Sequence, residues 1–242
     1  MAAQAGLSGA AVPATRVSVV LPVYNRAAYV GEAIESVYAQ TLPPAELIVV
    51  DDGSTDDSVA VVERYARPGL TIVRQENRGI GAARNRGLRI ASCEAVAFID
   101  SDDLWERDKL ERQCRALQAD GGADLVFGHL VEFLTPERAA DPSMSLRVAR
   151  QPVPGLIATT LLARRDAIRR IGFFDEHLRV GEFVEWMSRA RDLGLDVLTL
   201  AETVARRRIH GGNTVLVRSN ADYLRAIKMT LDRRRAGADR GR

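Results

Sequence analysis

The chain has 242 residues, 46% of them hydrophobic, which suits one large domain with a real core. A formal net charge of +2 gives no global reason to expect a nucleic-acid partner. The two cysteines, Cys93 and Cys114, have neither metal-site nor CxxC spacing, and no apolar run approaches a membrane span, so a reducing, cytoplasmic setting is expected.

Residues 1–15 lack the basic start and apolar stretch of a signal peptide and read as a loose lead-in. Val17–Val23 reads as a buried strand, ended by Pro22 and Tyr24-Asn25-Arg26. Positions 30, 33, 34, 37 and 38 form an apolar helical stripe, which Pro43-Pro44 breaks. Leu47–Val50 is a second strand ending in DDGSTDD, where Ser54 or Thr55 is placed to cap a helix running to Ala66. Leu70–Val73 is a third strand. The turn NRGIG then opens a helix from about Ala82 to Ile90. Ala95–Ile99 is the fourth strand. It stops in three carboxylates, Asp100, Asp102 and Asp103, which read either as a functional turn or as caps for a helix over Leu104–Leu117.

The second half is less regular. Asp124–Phe133 and Gly155–Leu162 read as strands around a polar loop, Thr135–Pro154. Helices are expected at Arg165–Ile171 and Glu182–Leu193, and strands at Val197–Leu200 and Val204–Ile209. His210-Gly211-Gly212 follows. Tyr223, Leu224, Ile227 and Leu231 mark a terminal helix before an Arg-rich tail, which reads as a solvated end with at most peripheral membrane contact.

Strands alternating with helices predict an α/β domain with a mostly parallel central sheet flanked by helices. Ligands of such sheets bind beyond the carboxyl ends of the strands. Three strand ends carry polar clusters: Tyr24-Asn25, Asp51-Asp52 and Asp100/Asp102. One topology puts all three on the same edge.

Four segments in this order, VSVVLPVYNRAAYVGEAIESVYAQT, ELIVVDDGSTDDS, ENRGIGAARNRGL and FIDSDDLW, closely resemble the family 2 glycosyltransferases. The resemblance covers roughly residues 16–212. It implies a GT-A fold, a single Rossmann-like domain over 16–215, with a nucleotide-sugar half (16–104) and an acceptor half (105–215). The terminal helix and tail, 216–242, lie outside it. It also implies a nucleotide-diphosphate sugar donor, a divalent metal, Mn²⁺ or Mg²⁺, and transfer with inversion.

By the same resemblance Pro22 and Tyr24 line the base site, and Asp52 accepts a hydrogen bond from the base, which fits a uridine donor. Arg84 matches a basic residue near the nucleotide. A phosphate, an acid of the DSDD turn and solvent are all open to it as partners. Asp100, with Ser101 beside it, matches the sugar-side acid of the DxD motif, and Asp102 matches the metal ligand. Asp103 reads as a supporting or capping residue. His210 sits where many members complete the metal site with histidine, which tilts preference from Mg²⁺ towards Mn²⁺.

One departure stands out. After FFDE the family carries Glu-Asp at a helix start, and that Asp is the usual catalytic base. Here Glu182 matches the Glu, but Phe183 occupies the Asp position. The base is therefore Glu182, or Glu185 one turn on, or the chain has lost this chemistry. The last case makes it a non-catalytic nucleotide-sugar-binding partner subunit. A nucleotidyltransferase would want a Gly-rich loop after the first strand, and PVYNRAAYV lacks the glycines. The acceptor is left open among saccharide, lipid-linked sugar, natural product and peptide.

Overall fold

β1 (Val17–Val23) is buried at all 7 positions. A strand with no solvent face must lie inside a sheet covered on both sides. In the computed structural model, which describes residues 15–119, 121–139, 148–211, 213 and 228–229, it lies between β2 (Glu46–Asp51) and β4 (Ala95–Phe98), parallel to both. β3 (Leu70–Arg74) extends the sheet in parallel beyond β2. The crossovers are α1 (Val30–Tyr38), α2 (Ser58–Glu63) and α3 (Ile80–Ile90).

The elements that follow are β5 (Leu104–Trp105), α4 (Lys109–Gln118), β6 (Leu125–Leu134), α5 (Pro136–Ala139) and β7 (Val153–Gly155). A 3-10 turn at Ala158–Thr160 leads to β8 (Leu162–Arg164), α6 (Arg165–Ile171), α7 (Glu182–Asp192) and β9 (Val197–Ile209). The strand order is β3-β2-β1-β4-β8-β6-β9-β5, with β7 paired to β6. β8 runs antiparallel to β4 and β6, whereas β9 runs parallel to β6. The architecture is thus mixed α/β, a mostly parallel central sheet flanked by helices. Among the described residues no helix is long and apolar enough to cross a membrane.

The alternation of side chains along β1 divides the core. Val17, Val19, Leu21 and Val23 face α1 and α4 in one apolar cluster. Val20 faces the other side, with Ile48, Phe98 and the aromatic group Phe174, Phe183 and Trp186. α3 lies close on this face at Gly87, where a Cβ would collide with the Val20 methyls.

Several elements differ from the sequence reading. The helix expected from Leu104 starts at Lys109, because Leu104 and Trp105 pair with Arg206 and Ala205 of β9. The DSDD acids therefore do not cap it. Ser54 and Thr55 do not cap α2 either. Ser54 Oγ accepts from Asn25 N (3.0 Å) and Thr55 N donates to Asn25 Oδ1 (2.8 Å), so both hold the loop after β1. The strand expected over Gly155–Leu162 is interrupted by the 3-10 turn, where Thr160 Oγ1 donates to Ile157 O (2.9 Å). The two strands expected near the end are one, β9, which follows β6 through two register shifts. The terminal helix and basic tail lie outside the described residues except at 228–229, as does the lead-in up to residue 14.

Lys109 is fully buried at the start of α4. Its Nζ donates to Gln113 Oε1 (2.6 Å) and stands 4.3 Å from the Trp105 ring centre. Burial pulls its pKa down to about 7, against a smaller opposing influence of Cys114. The unfolded chain holds an ordinary lysine, so from about pH 7 to about pH 10 it binds more protons than the folded chain. Stability from this group therefore rises with pH across that window. In urea unfolding at a series of pH values, the parent should gain on Lys109→Met by up to about 1.4 kcal/mol per pH unit there. Parallel pH profiles would contradict this.

Candidate active site

β1, β2 and β4 run parallel, so their carboxyl ends open on one edge. Tyr24, Asp52 and Asp100 follow these three ends, and all three line one cleft of about 470 Å³. Leu156–Ala158 and Arg179–Val184, the segment leading into α7, line the same cleft.

In the cleft lining Pro22 is buried in β1, and Tyr24 is 45% exposed, its ring available to a flat ligand. Asp52 is buried and already engaged. Oδ1 accepts from Gln75 Nε2 (2.8 Å) and Arg78 N (2.9 Å), and Oδ2 accepts from Gly79 N (2.8 Å). The carboxylate thereby shapes the loop that carries Asn77 and Gly79 into the cleft. Gly79 has φ +92°, a left-handed conformation that side chains disfavour. Asp56 accepts from Ser58 and from Ala27 N, and these bonds hold its pKa down against burial, so it ties the β1 loop to α2.

The DSDD turn after β4 is held from behind. Thr159 Oγ1 accepts from Asp100 N (3.0 Å) and donates to Asp103 Oδ2 (2.9 Å). Arg208 of β9 donates its N–H to Asp103 Oδ1 (3.0 Å) and its Nε to Asp102 O (3.0 Å). Asp103 thus faces inward and supports the turn. Its burial, then the charges of Asp102 and Asp100, push its pKa well above the ordinary range. All four residues of the turn line the cleft, Asp103 as the most buried of the three acids.

Asp102 Oδ2 meets His210 Nε2 at 2.8 Å and Arg26 Nε at 3.2 Å. Burial opposes its ionisation, but the His210 hydrogen bond and the Arg26 charge prevail and hold its pKa low. His210 is itself placed by Tyr29, whose ring centre lies 4.7 Å away, and by Asn213, which accepts from the His210 N–H. The two expected metal ligands, 108 positions apart, are therefore neighbours.

Arg84 projects from α3 into the middle of this edge. Its Nη2 donates to Asp100 Oδ1 (2.8 Å) and its Nη1 to Glu182 Oε1 (2.6 Å). Of the partners open to it, a DSDD acid is realised, and Glu182 is added. Burial works against this guanidinium, and the charges of Asp100 and then Glu182 raise its pKa.

Glu182 lines the cleft, and Glu185 does not. Glu185 is buried against Arg189, accepting from its Nε (3.0 Å) and Nη2 (2.9 Å), and Arg189 in turn binds the carbonyls of Ile171 and Phe173. Phe183 stacks on Trp186 and Phe174 at 5.9 and 6.4 Å between ring centres. The position where the resemblance leads one to expect an acid is here part of an aromatic cluster.

Among the described residues no group of three or more His, Cys, Asp or Glu forms a metal cage. Asp102 and His210 supply one carboxylate oxygen and one imidazole nitrogen at one spot. A divalent cation there would replace the hydrogen bond between them and would need substrate phosphates to complete its shell, and the imidazole suits Mn²⁺ better than Mg²⁺. Thr159, Arg208 and Arg26 escaped the sequence reading. Thr159 and Arg208 act through long-range contacts with no local pattern, whereas Arg26 sits two residues after Tyr24 and was legible from its position.

The family model for Glycosyl transferase family 2 matches residues 18–172. Glycosyltransferase AglE of Haloferax volcanii is 34% identical over 200 residues, which cover 78% of this chain and 65% of that protein. The putative glycosyltransferase EpsH of Bacillus subtilis is 37% identical over 139 residues, 56% of this chain and 40% of its own. The chain spans less than two thirds of the length of both relatives. Among solved structures, S. aureus TarS 1-349 in complex with UDP-GlcNAc superposes with TM-score 0.71 at 22% identity, covering 89% of this chain and 65% of TarS 1-349. This likeness carries the fold, GT-A. Mannosyltransferase PcManGT from Pyrobaculum calidifontis, in complex with GDP-Man and Mn²⁺, superposes with TM-score 0.63 at 27% identity, covering 82% of this chain and 58% of that one.

Proposed function

The chain belongs to glycosyl transferase family 2, and from that premise we propose that it moves a sugar, with inversion, from a nucleotide-diphosphate donor to an acceptor hydroxyl. The observation that carries this reading is the single cleft in which Tyr24, Asp52, Asp100, Asp102 and Glu182 meet. The nucleotide sugars in the TarS and PcManGT structures support such a donor.

Each residue has a task that its geometry suits. Tyr24 and Pro22 take the base face. Asp52 spends three hydrogen bonds on the loop over the base pocket, and its remaining acceptor position suits the imino N–H of uracil, which favours UDP. Asp100 and Ser101 face the ribose side. Asp102 and His210 would hold Mn²⁺ or Mg²⁺, as the Mn²⁺ of PcManGT supports. When bound, the metal supplies positive charge for the departing nucleoside diphosphate.

Glu182 is the base in this account. Arg84 fixes one of its oxygens. The other is left to take the proton of an acceptor hydroxyl within hydrogen-bond reach. The acceptor enters between Leu156 and Val184, which line the cleft and are both exposed. The free, buried thiols Cys93 and Cys114 suit a cytoplasmic site of action. A second reading, a partner subunit that binds the donor without turning it over, is favoured by two observations: Phe183 at the usual base position, and the ion pair that engages Glu182.

Calorimetry with UDP tests the donor site. UDP should bind in the presence of Mn²⁺ and lose that binding on adding EDTA. Equal affinity in both conditions contradicts the metal ligands, and no binding in either contradicts the donor reading.

Glu182→Gln should lower transfer by about 100-fold or more while donor affinity is retained, since base catalysis contributes on that scale. Glu185→Gln should leave transfer near the parent rate. The reverse pattern in a transfer assay moves the base to Glu185. Donor binding without turnover by the parent on any acceptor favours the partner-subunit reading.

A further inference from the structure

The oxygen of Asp102 that meets His210 also carries a cation from the protein itself. Arg26 Nε stands 3.2 Å from Asp102 Oδ2, with the side chain 21% exposed in the cleft. This position is built, not incidental. The Arg26 N–H donates to Ser58 Oγ (2.7 Å), and the next residue, Ala27, donates to Asp56 Oδ2 (3.0 Å). Asn25 before it takes a left-handed turn at φ 50°, fixed by Ser54 and Thr55. The guanidinium is steadied by Asn25 O, 2.9 Å from Nη1. The loop thus delivers a permanent positive charge to the carboxylate that faces the histidine.

A guanidinium does not deprotonate, so its charge stays on Asp102 at any ordinary pH and leaves most readily for another anion. A divalent cation arriving alone must compete with it for Asp102. A cation arriving with a diphosphate brings a second anion, which guanidinium can also bind through paired N–H···O bonds. We propose that Arg26 is an exchange cation: it holds Asp102 until the donor arrives, then passes to a phosphate oxygen as the divalent cation takes Asp102. Metal and nucleotide therefore bind as a pair, each tightening the other by the same factor. The proposal rests on the reading that the cleft takes a nucleoside diphosphate with a metal at Asp102 and His210.

Titration of the full chain with Mn²⁺, followed by electron spin resonance of the free ion, tests it with and without saturating UDP. In the parent, UDP should tighten Mn²⁺ binding roughly tenfold or more. In Arg26→Gln, Mn²⁺ alone should bind roughly tenfold more tightly than in the parent, and the coupling to UDP should shrink to a few-fold. Unchanged Mn²⁺ affinity in folded Arg26→Gln overturns the exchange. So does a parent that binds UDP and Mn²⁺ without coupling, a result that needs no variant and leaves the donor reading intact. A parent that takes up no UDP overturns the donor reading instead, and the Mn²⁺-only comparison of parent and variant still decides whether Arg26 guards Asp102.

Discussion

The buried Arg84 guanidinium is the interaction on which the rest of this edge depends. It lies between Asp100, on the turn after β4, and Glu182, at the start of α7. A buried charge is costly unless it is paired and hydrogen-bonded, and losing one partner leaves the others uncompensated. The three groups therefore fix one another. Through them a residue beside the expected nucleotide is joined to the residue expected to meet the acceptor. The next residue, Asn85, reinforces the join. It bonds both the N–H and the carbonyl of Phe174, at 2.8 and 2.9 Å, and so clamps the segment that leads into α7.

The DSDD turn is braced in a similar way from the opposite side. Asp103 is held by Thr159 and the backbone of Arg208, while Asp100 and Asp102 reach Arg84 and His210. Trp105 locks the same turn by donating to Thr159 O (2.8 Å). Beneath it Gln113 donates to the carbonyls of Val126 and Thr160, which ties α4 to β6 and the 3-10 turn. One consequence is that the acids are positioned before any ligand arrives. Acids braced in this way need not move themselves when Arg26 gives way in the proposed exchange.

The parallel half of the fold was legible because its strands are continuous apolar runs and its helices carry clear stripes, as in Val17–Val23 and Val30–Tyr38. Its strand ends were legible for the same reason, and with them Tyr24, Asp52, Asp100 and Asp102. The second half was harder. β9 read as two strands because Glu202 and Thr203 interrupt the apolar pattern, and the register with β6 does shift there, between Thr199 and Thr203, before pairing resumes. Ala158–Thr160 read as strand because nothing local signals that Thr159 must turn to meet Asp103. The pairing of Asp102 with His210 came from resemblance alone, since no spacing rule spans 108 positions. Phe183 was visible as a departure, but not its setting: the ring lines the cleft and packs against Phe174 and Trp186.

The central claim is that one rigid edge, centred on Arg84, receives the donor. A crystal structure of the chain with UDP and MnCl₂ tests it most directly. The account predicts the uracil against Tyr24, the diphosphate beside Asp102, and Arg84 still bridging Asp100 and Glu182. A nucleotide bound outside this cleft, or an Arg84 that has swung away from Glu182, would contradict it.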